Sequence, residues 1–547
     1  MKRIWLPLIL LTALILRVLW LDKLPQGFTP DEASFGYDAY SILKTGKDQW
    51  GTAFPLVLQS FGDYKSPLYA YLTIPFVAVF GLNKFAVRLP NALLGTFAVL
   101  VTYLLVRELF KEKKLAIIAS FLLAISPWHI MLSRGAFESN LTTFFMPLGT
   151  YLFLKGLRYP KYFVFSALAF GLNLFTYHSA KLVTPLVFFA LTFLYRKQLI
   201  QWIRNRSLKL SFFVLLIFLG LTFYTFTQGA GARINERLIT NGALDEAAVY
   251  RIEAVQKGMP DSIAHLLHNK YQVTVNRFLT NYFSYFTSKF FFKNGPAEAT
   301  YGMIPGIGVL YGFELLFLLG LFISIFKRKM ARELILIIIW VILSPVPAAL
   351  STGVGYSANR VAVMMPAIYI FLSFGAYEVY RFFKFRLPKN SLRLTVYVFG
   401  VFSFYTVVIF LKAYFINPPE ISAKAMLSGN LEMAYWLKNN LKEDENILIT
   451  RKLSEPQIYI AFAYKFDPNI YQSYAKEWDY KRLGVNWVDQ IPEYSLNNFT
   501  FKNIDWRQDL GKYDLYVGEP EEFLKDQKEL KVFYYPDKTV AIKVFSK

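Results

Sequence analysis

Long apolar runs recur along the first three quarters of the chain, separated by short connectors rich in Lys and Arg. A helix needs about 20 apolar residues to cross the hydrocarbon core of a bilayer. Eleven runs predict such helices: 4–21, 88–106, 115–133, 141–154, 162–177, 182–195, 211–227, 307–326, 333–350, 361–380 and 394–411. A further run over 67–81, PLYAYLTIPFVAVFG, is short, opens on Pro67, contains Pro75 and is rich in aromatic rings. That pattern predicts a helix lying at the membrane surface. Beyond about residue 414 the period changes. EMAYWLKNNL is amphipathic at helical spacing, whereas NILIT, YDLYVG, VFYYP and TVAIKVF read as strands. The expected architecture is an α-helical polytopic membrane domain over 1–413 with about 11 transmembrane helices and juxtamembrane helices. A C-terminal α/β domain over 414–547 follows it on the outer face.

Charge sets the expected orientation. The 547 residues carry a net charge of +22, but residues 414–547 hold 18 Lys and Arg against 20 Asp and Glu. The excess therefore lies in the apolar part, where it governs topology rather than nucleic-acid binding. With a cytoplasmic N-terminus and a non-crossing 67–81 helix, the inner loops are 107–114, 155–161, 196–209, 327–332 and 381–393. These collect 21 Lys and Arg, and all of them move outside if 67–81 crosses. The positive-inside rule selects the first arrangement. The loops 22–87 and 228–306 and the tail then share the outer face of a plasma-membrane protein. No small-x-small cleavage signal follows Leu21, so the first run reads as a retained anchor. The chain has no cysteine, which removes disulfides, thiolate metal sites and thiol nucleophiles.

Candidate chemistry concentrates on that outer face. Asp31 and Glu32 are adjacent carboxylates after Pro30. Such a pair commonly does no more than begin a helix, where the dipole favours negative charge; the functional alternative is a general base at the membrane surface. Lys65, Arg88, Arg134, Lys181 and Arg360 all fall near the membrane on the side where cations are disfavoured. Singly, each is explained by snorkelling. As a set they suit an anionic lipid headgroup such as a phosphate. His178 could reach the same cavity, whereas His129 reads as packing. Asp31, Glu32, Asp38, Asp63 and Glu138 could face one cavity and hold a divalent cation, Mg²⁺ or Mn²⁺.

The ordered motifs PDEASFGYDAY, DYKSPLYAYL, FAVRLPNALLG, ISPWHIMLSRGAFESN and SPVPAAL…ANRVAVMMP resemble the GT-C superfamily of membrane glycosyltransferases. The likeness is to the protein O-mannosyltransferase and aminoarabinose-transferase type. That resemblance implies a polyprenyl-phosphate sugar donor and inverting transfer to an acceptor hydroxyl. Asp31 would be the base, with Glu32 and Glu138 beside it. Lys65, Arg88 and Arg360 would lie on the lipid phosphate, with Arg134, Lys181, Tyr37 and His178 in the surrounding site. The acceptor could be a protein, a glycolipid or a polysaccharide. A transporter or flippase would need ionisable residues at mid-membrane and matching halves, and neither is read here. A non-catalytic envelope assembly protein leaves the outer cations unexplained.

Overall fold

A computed structural model describes residues 4–546 except 231–237, 294, 296–297, 328–331, 353–356, 419, 443 and 524–528. Most of the basic connector at 327–332 and the beginning of the 228–306 loop therefore lie outside the described residues.

Helices fall on every apolar run. They are α1 (Trp5–Val18), α2 (Pro30–Thr45), α3 (Leu68–Phe80), α4 (Lys84–Phe110), α5 (Lys113–Ile125), α6 (Pro127–Leu132), α7 (Thr142–Gly156), α8 (Tyr162–Asn173), α9 (His178–Leu194), α10 (Arg196–Ile200) and α11 (Arg206–Thr225). After the large loop come α12 (Glu314–Lys327), α13 (Arg332–Leu343), α14 (Met365–Arg386) and α15 (Lys389–Leu411). Among the described residues, five helical stretches are long and apolar enough to cross a membrane by length and composition. The 13-residue α3 spans about 20 Å at 1.5 Å per residue, short of the hydrocarbon thickness.

The run expected as one span over 115–133 is broken. Pro127 has no N–H to continue the ladder, so α5 stops and α6 restarts behind a Ser126 cap. The break frees the carbonyls of Leu123 and Ala124. The guanidinium of Arg17, fully buried on α1, donates to both (3.2 and 3.1 Å) and lies 2.8 Å from His129 Nδ1. His129 is thus packing, as expected, while Arg17 passed unnoticed inside an apolar run. Farther along, α12 and α14 cross closely. A Cβ on Gly320 would meet the Gly375 carbonyl at 2.5 Å, the kind of small-residue contact that lets membrane helices approach.

The tail contributes α16 (Asn430–Asn440), α17 (Pro456–Tyr464) and a six-stranded mixed sheet. Its strands are β3 (Ile447–Ile449), β4 (Tyr494–Leu496), β5 (Phe499–Phe501), β6 (Leu515–Gly518), β7 (Glu529–Tyr534) and β8 (Val540–Ser546), after a short β1 (Leu58–Gln59) and β2 (Tyr64–Lys65) hairpin. The order is β4-β5-β3-β6-β8-β7, with β3 parallel to β5 and β6 and the outer pairs antiparallel.

This sheet does not stand apart from the 22–87 segment. One apolar core unites Phe28, Phe35, Tyr37 and Tyr69 with Tyr459, Phe462, Tyr471 and Trp478. Tyr459 donates to the Phe28 carbonyl (2.7 Å) and Tyr37 to that of Phe466 (3.1 Å). A Cβ at Gly36 would lie 2.5 Å from Val87 and 2.7 Å from Phe462. Only glycine lets α2 pass between α4 and α17.

Candidate active site

The carboxylates at the start of α2 divide their labour. Thr29 caps the helix, accepting from Glu32 N–H while Glu32 accepts from Thr29 N–H, both at 3.2 Å. Glu32 also forms a bidentate pair with Arg88 (2.8 and 2.9 Å) and accepts from Ala136 N–H (2.9 Å). Both side chains are fully buried. Arg88 spends its remaining donors on the carbonyls of Leu21, Pro25 and Gly27. Glu32 and Arg88 therefore join α2 and α4 to the 21–27 segment after α1 and to the 132–138 turn. With all five N–H groups of Arg88 committed, the expected contact to a lipid phosphate does not fit.

The same correction applies to Arg134. Buried over the rings of Tyr414 and Phe415, it donates to the carbonyls of Leu16, Leu19 and Leu24 and closes the C-terminus of α1. Tyr37 is buried between Tyr40 and Tyr471 and ties α2 to the tail; it does not reach the cavity.

Asp31 is different. It lies one residue before Glu32, is 62% exposed and sits 2.6 Å from the ammonium of Lys65, itself 5% exposed. The ammonium also lies 4.9 and 5.8 Å from the rings of Phe35 and Phe61. A rigid, buried cation thus holds an open carboxylate at the surface of the site.

Beside this pair opens a cavity of about 410 Å³ lined by Tyr177, His178, Ser179, Lys181, Leu182, Phe226, Leu238, Pro347, Ala348, Leu350, Ser351 and Arg360. The link between this cavity and the Asp31–Lys65 pair is His178, whose Nε2 lies 3.2 Å from the carbonyl of Tyr64, the neighbour of Lys65. Arg360 commits one nitrogen to Ser351 Oγ (2.9 Å) and the Thr352 carbonyl (3.2 Å). Lys181 stands over Phe226. These two cations, expected at the site, meet there with His178.

Two residues not singled out in the sequence, Asn359 and Glu298, lie behind the cavity-lining Tyr177 and Arg360. Asn359 Nδ2 donates to the Tyr177 hydroxyl (3.1 Å), and Ser139 Oγ donates to Asn359 Oδ1. Glu298 accepts from Asn359 N–H (2.9 Å) and from the Ser357 hydroxyl. Burial raises the Glu298 carboxyl above its ordinary range, opposed by those two donors and by Arg360. Burial also raises the Tyr301 phenol strongly, with Tyr177, Glu138, Glu298 and Asp31 adding to it. Glu138, at the start of a short 3-10 turn (Glu138–Leu141), is therefore electrostatic company for Asp31 and Glu298.

The five acids considered for a divalent cation do not converge. Glu32 is held by Arg88. Asp38 accepts from Gln49 N–H (3.0 Å), Gln49 Nε2 (3.2 Å) and Ser34 (3.4 Å). Asp63 accepts from Tyr64 N–H (2.6 Å). Among the described residues no group of three or more His, Asp or Glu is disposed to hold a metal ion.

Residues 64–224 match the family of dolichyl-phosphate-mannose-protein mannosyltransferases. An uncharacterised protein of Aquifex aeolicus (strain VF5) is 29% identical over 176 residues, covering 31% of this chain and 34% of that one. YkcB of Bacillus subtilis (strain 168), provisionally named a mannosyltransferase, is 30% identical over 145 residues, 24% of this chain and 20% of that one. The matches thus span about a third and a fifth of the length of these curated relatives. The crystal structure of ArnT from Cupriavidus metallidurans bound to undecaprenyl phosphate shares the fold at a TM-score of 0.55 and 13% identity, covering 100% of this chain and 98% of that one. The chain is thus a multi-pass membrane protein that shares its fold from end to end with ArnT and is similar in sequence to dolichyl-phosphate-mannose-protein mannosyltransferases from β2 through most of α11.

Proposed function

We propose that the chain is an inverting glycosyltransferase that moves a hexosyl or pentosyl group from a polyprenyl-phosphate carrier to an acceptor hydroxyl on the outer face of the plasma membrane. The observation that carries the proposal is the open carboxylate of Asp31, braced by Lys65 beside a cavity that holds Lys181, Arg360 and His178. The donor phosphate enters that cavity, and its isoprenoid tail lies in the bilayer. Lys181 and Arg360 neutralise the phosphate and bind it more strongly as the leaving group gains charge. Asp31 takes the proton of the acceptor hydroxyl. The acceptor oxygen forms a bond to the sugar C1, and the bond from C1 to the phosphate oxygen breaks, leaving free polyprenyl phosphate. One displacement with one base gives inversion. Lys65 orients Asp31, and Glu138 and Glu298 shape the acceptor side. Glu32, Arg88 and Arg134 hold the frame.

The test is release of free polyprenyl phosphate from a panel of polyprenyl-phosphate sugars by the purified protein in lipid, wild type against Asp31→Asn. Asp31-dependent release supports the proposal. Release by the folded variant at the wild-type rate removes Asp31 as the base.

A further inference from the structure

A second cavity, of about 500 Å³, opens at the opposite end of the helical bundle, between α8, α9 and α11. Its walls are Phe153, Phe163, Ala167, Phe188, Phe212 and Leu215, with Lys209 at the rim. The polar groups within it, Ser166, Thr192 and Ser211, all donate to carbonyls of their surroundings. The slot thus offers apolar surface along its length and a cation at one edge. Phe188 and Thr192 lie seven and eleven residues beyond Lys181 on α9, about 10 and 16 Å along the helix axis. The slot is therefore separate from the phosphate-sized cavity near Asp31.

The rim is basic without compensation. Residues 196–209 read RKQLIQWIRNRSLK, and no Asp or Glu occurs between Glu138 and Glu236. Arg196, Lys197, Arg204, Arg206 and Lys209 are exposed, and among the described residues none of them forms an ion pair with a carboxylate. Ile200 and Ile203, 64% and 62% exposed, stand among them. Trp202 Nε1 donates to the Leu157 carbonyl (3.1 Å) and fixes the connector across the end of α7. Apolar side chains interleaved with unpaired cations match the boundary between acyl chains and anionic headgroups.

We propose that this slot binds an anionic glycerophospholipid, one acyl chain between α8, α9 and α11 and the headgroup phosphate on Lys209 and Arg206. The volume lies within the range of small-ligand sites, and the cation cluster selects a net-anionic headgroup over a zwitterionic one, whose own cation already balances its phosphate.

Native mass spectrometry of the full-length protein, delipidated in mild detergent, tests the idea by titration with phosphatidylglycerol or phosphatidylcholine. Phosphatidylglycerol should bind at least tenfold tighter. The double variant Lys209→Gln, Arg206→Gln should lose that preference, and Ala167→Trp, which fills the slot, should lose the bound lipid. Thermal unfolding of each variant confirms that it is folded. Equal binding of the two lipids, or an unchanged preference with the slot filled, overturns the proposal. Competition by undecaprenyl phosphate that Lys181→Ala abolishes would make the slot the tail end of the donor site and would also overturn it. Loss of sugar transfer in Asp31→Asn leaves these outcomes untouched.

Discussion

Replacing Arg88 asks whether this cation is a clamp or a ligand of the donor phosphate. Its five N–H groups are spent on Glu32 and on the carbonyls of Leu21, Pro25 and Gly27, with no exposure to solvent. Removing one partner of a buried, hydrogen-bonded ion pair costs about 3–5 kcal/mol, because the survivor is left charged in a low-dielectric site. In a cooperative unit of about 150–250 residues, each kcal/mol moves Tm by about 2–4 °C. Arg88→Gln should therefore lower Tm by at least about 5 °C. Glu32→Gln should do the same, because it leaves Arg88 uncompensated. The double variant removes both charges and should lose less than the sum, with a coupling of about 1–3 kcal/mol. The assay is thermal unfolding in detergent for wild type, both single variants and the double, with donor KM as the second readout. A Tm within about 1 °C of wild type for Arg88→Gln, with a tenfold rise in donor KM, would refute the clamp and return Arg88 to the phosphate.

Asp31→Asn should reduce release of polyprenyl phosphate by at least about 100-fold in protein that still folds cooperatively, with some loss of Tm because buried Lys65 loses its partner; residual activity near wild type would remove Asp31 from catalysis. Lys181→Ala and Arg360→Ala should each raise donor KM by about 10–100-fold, the worth of a charge-assisted hydrogen bond of about 1.5–3 kcal/mol; an unchanged KM would place the phosphate elsewhere. Gly36→Val should fail to accumulate as folded protein, because its Cβ would enter Val87 and Phe462; normal expression would contradict the close crossing. The Asp38 carboxyl is raised above its usual range by burial and then by Asp48. The folded chain keeps a proton there that the unfolded chain releases near about pH 4. The folded state thus binds more protons across that window, and its stability falls as pH rises towards the raised value. Asp38→Asn should flatten the fall in Tm between about pH 5 and 8; an identical slope would exclude Asp38 as the source.

Much of the architecture was legible because membrane helices announce themselves by apolar length. The short 67–81 run was readable as α3 from its prolines and rings. The tail strands at 447–449, 515–518, 529–534 and 540–546 followed from alternation. The β4–β5 hairpin was missed, although Asn497 at a positive φ of 55° between YSL and FTF is a turn signal. The break at Ser126–Pro127 was also readable and was passed over within an apolar run. Charge was harder. Sequence spacing could not separate Asp31 from Glu32, because which adjacent carboxylate turns inward depends on where Arg88 arrives from α4. Nor could it distinguish Arg88 and Arg134, which satisfy carbonyls, from Lys181 and Arg360, which line a cavity. Glu298 and Asn359 come from segments 61 residues apart, and only the fold joins them. Asn359 directly precedes Arg360, and that adjacency was the one local hint.

The core shared by the 22–87 segment and the tail imposes an order on folding. Phe28 and Tyr459, which meet in that core, are separated by 431 residues. A ribosome adding roughly 5–20 residues per second needs about 20–90 s to cover that interval. During that time Phe28, Phe35 and Tyr37 lack their partners from the tail. The helix that carries Asp31 therefore cannot reach its final packing until the last quarter of the polypeptide has been made. Nascent chains truncated before α17 should expose this apolar face to chaperones or proteases, and the proposed site around Asp31 should be unformed in them. Completion of the proposed site is in this sense a late event, timed by the end of translation rather than by formation of the apolar helices.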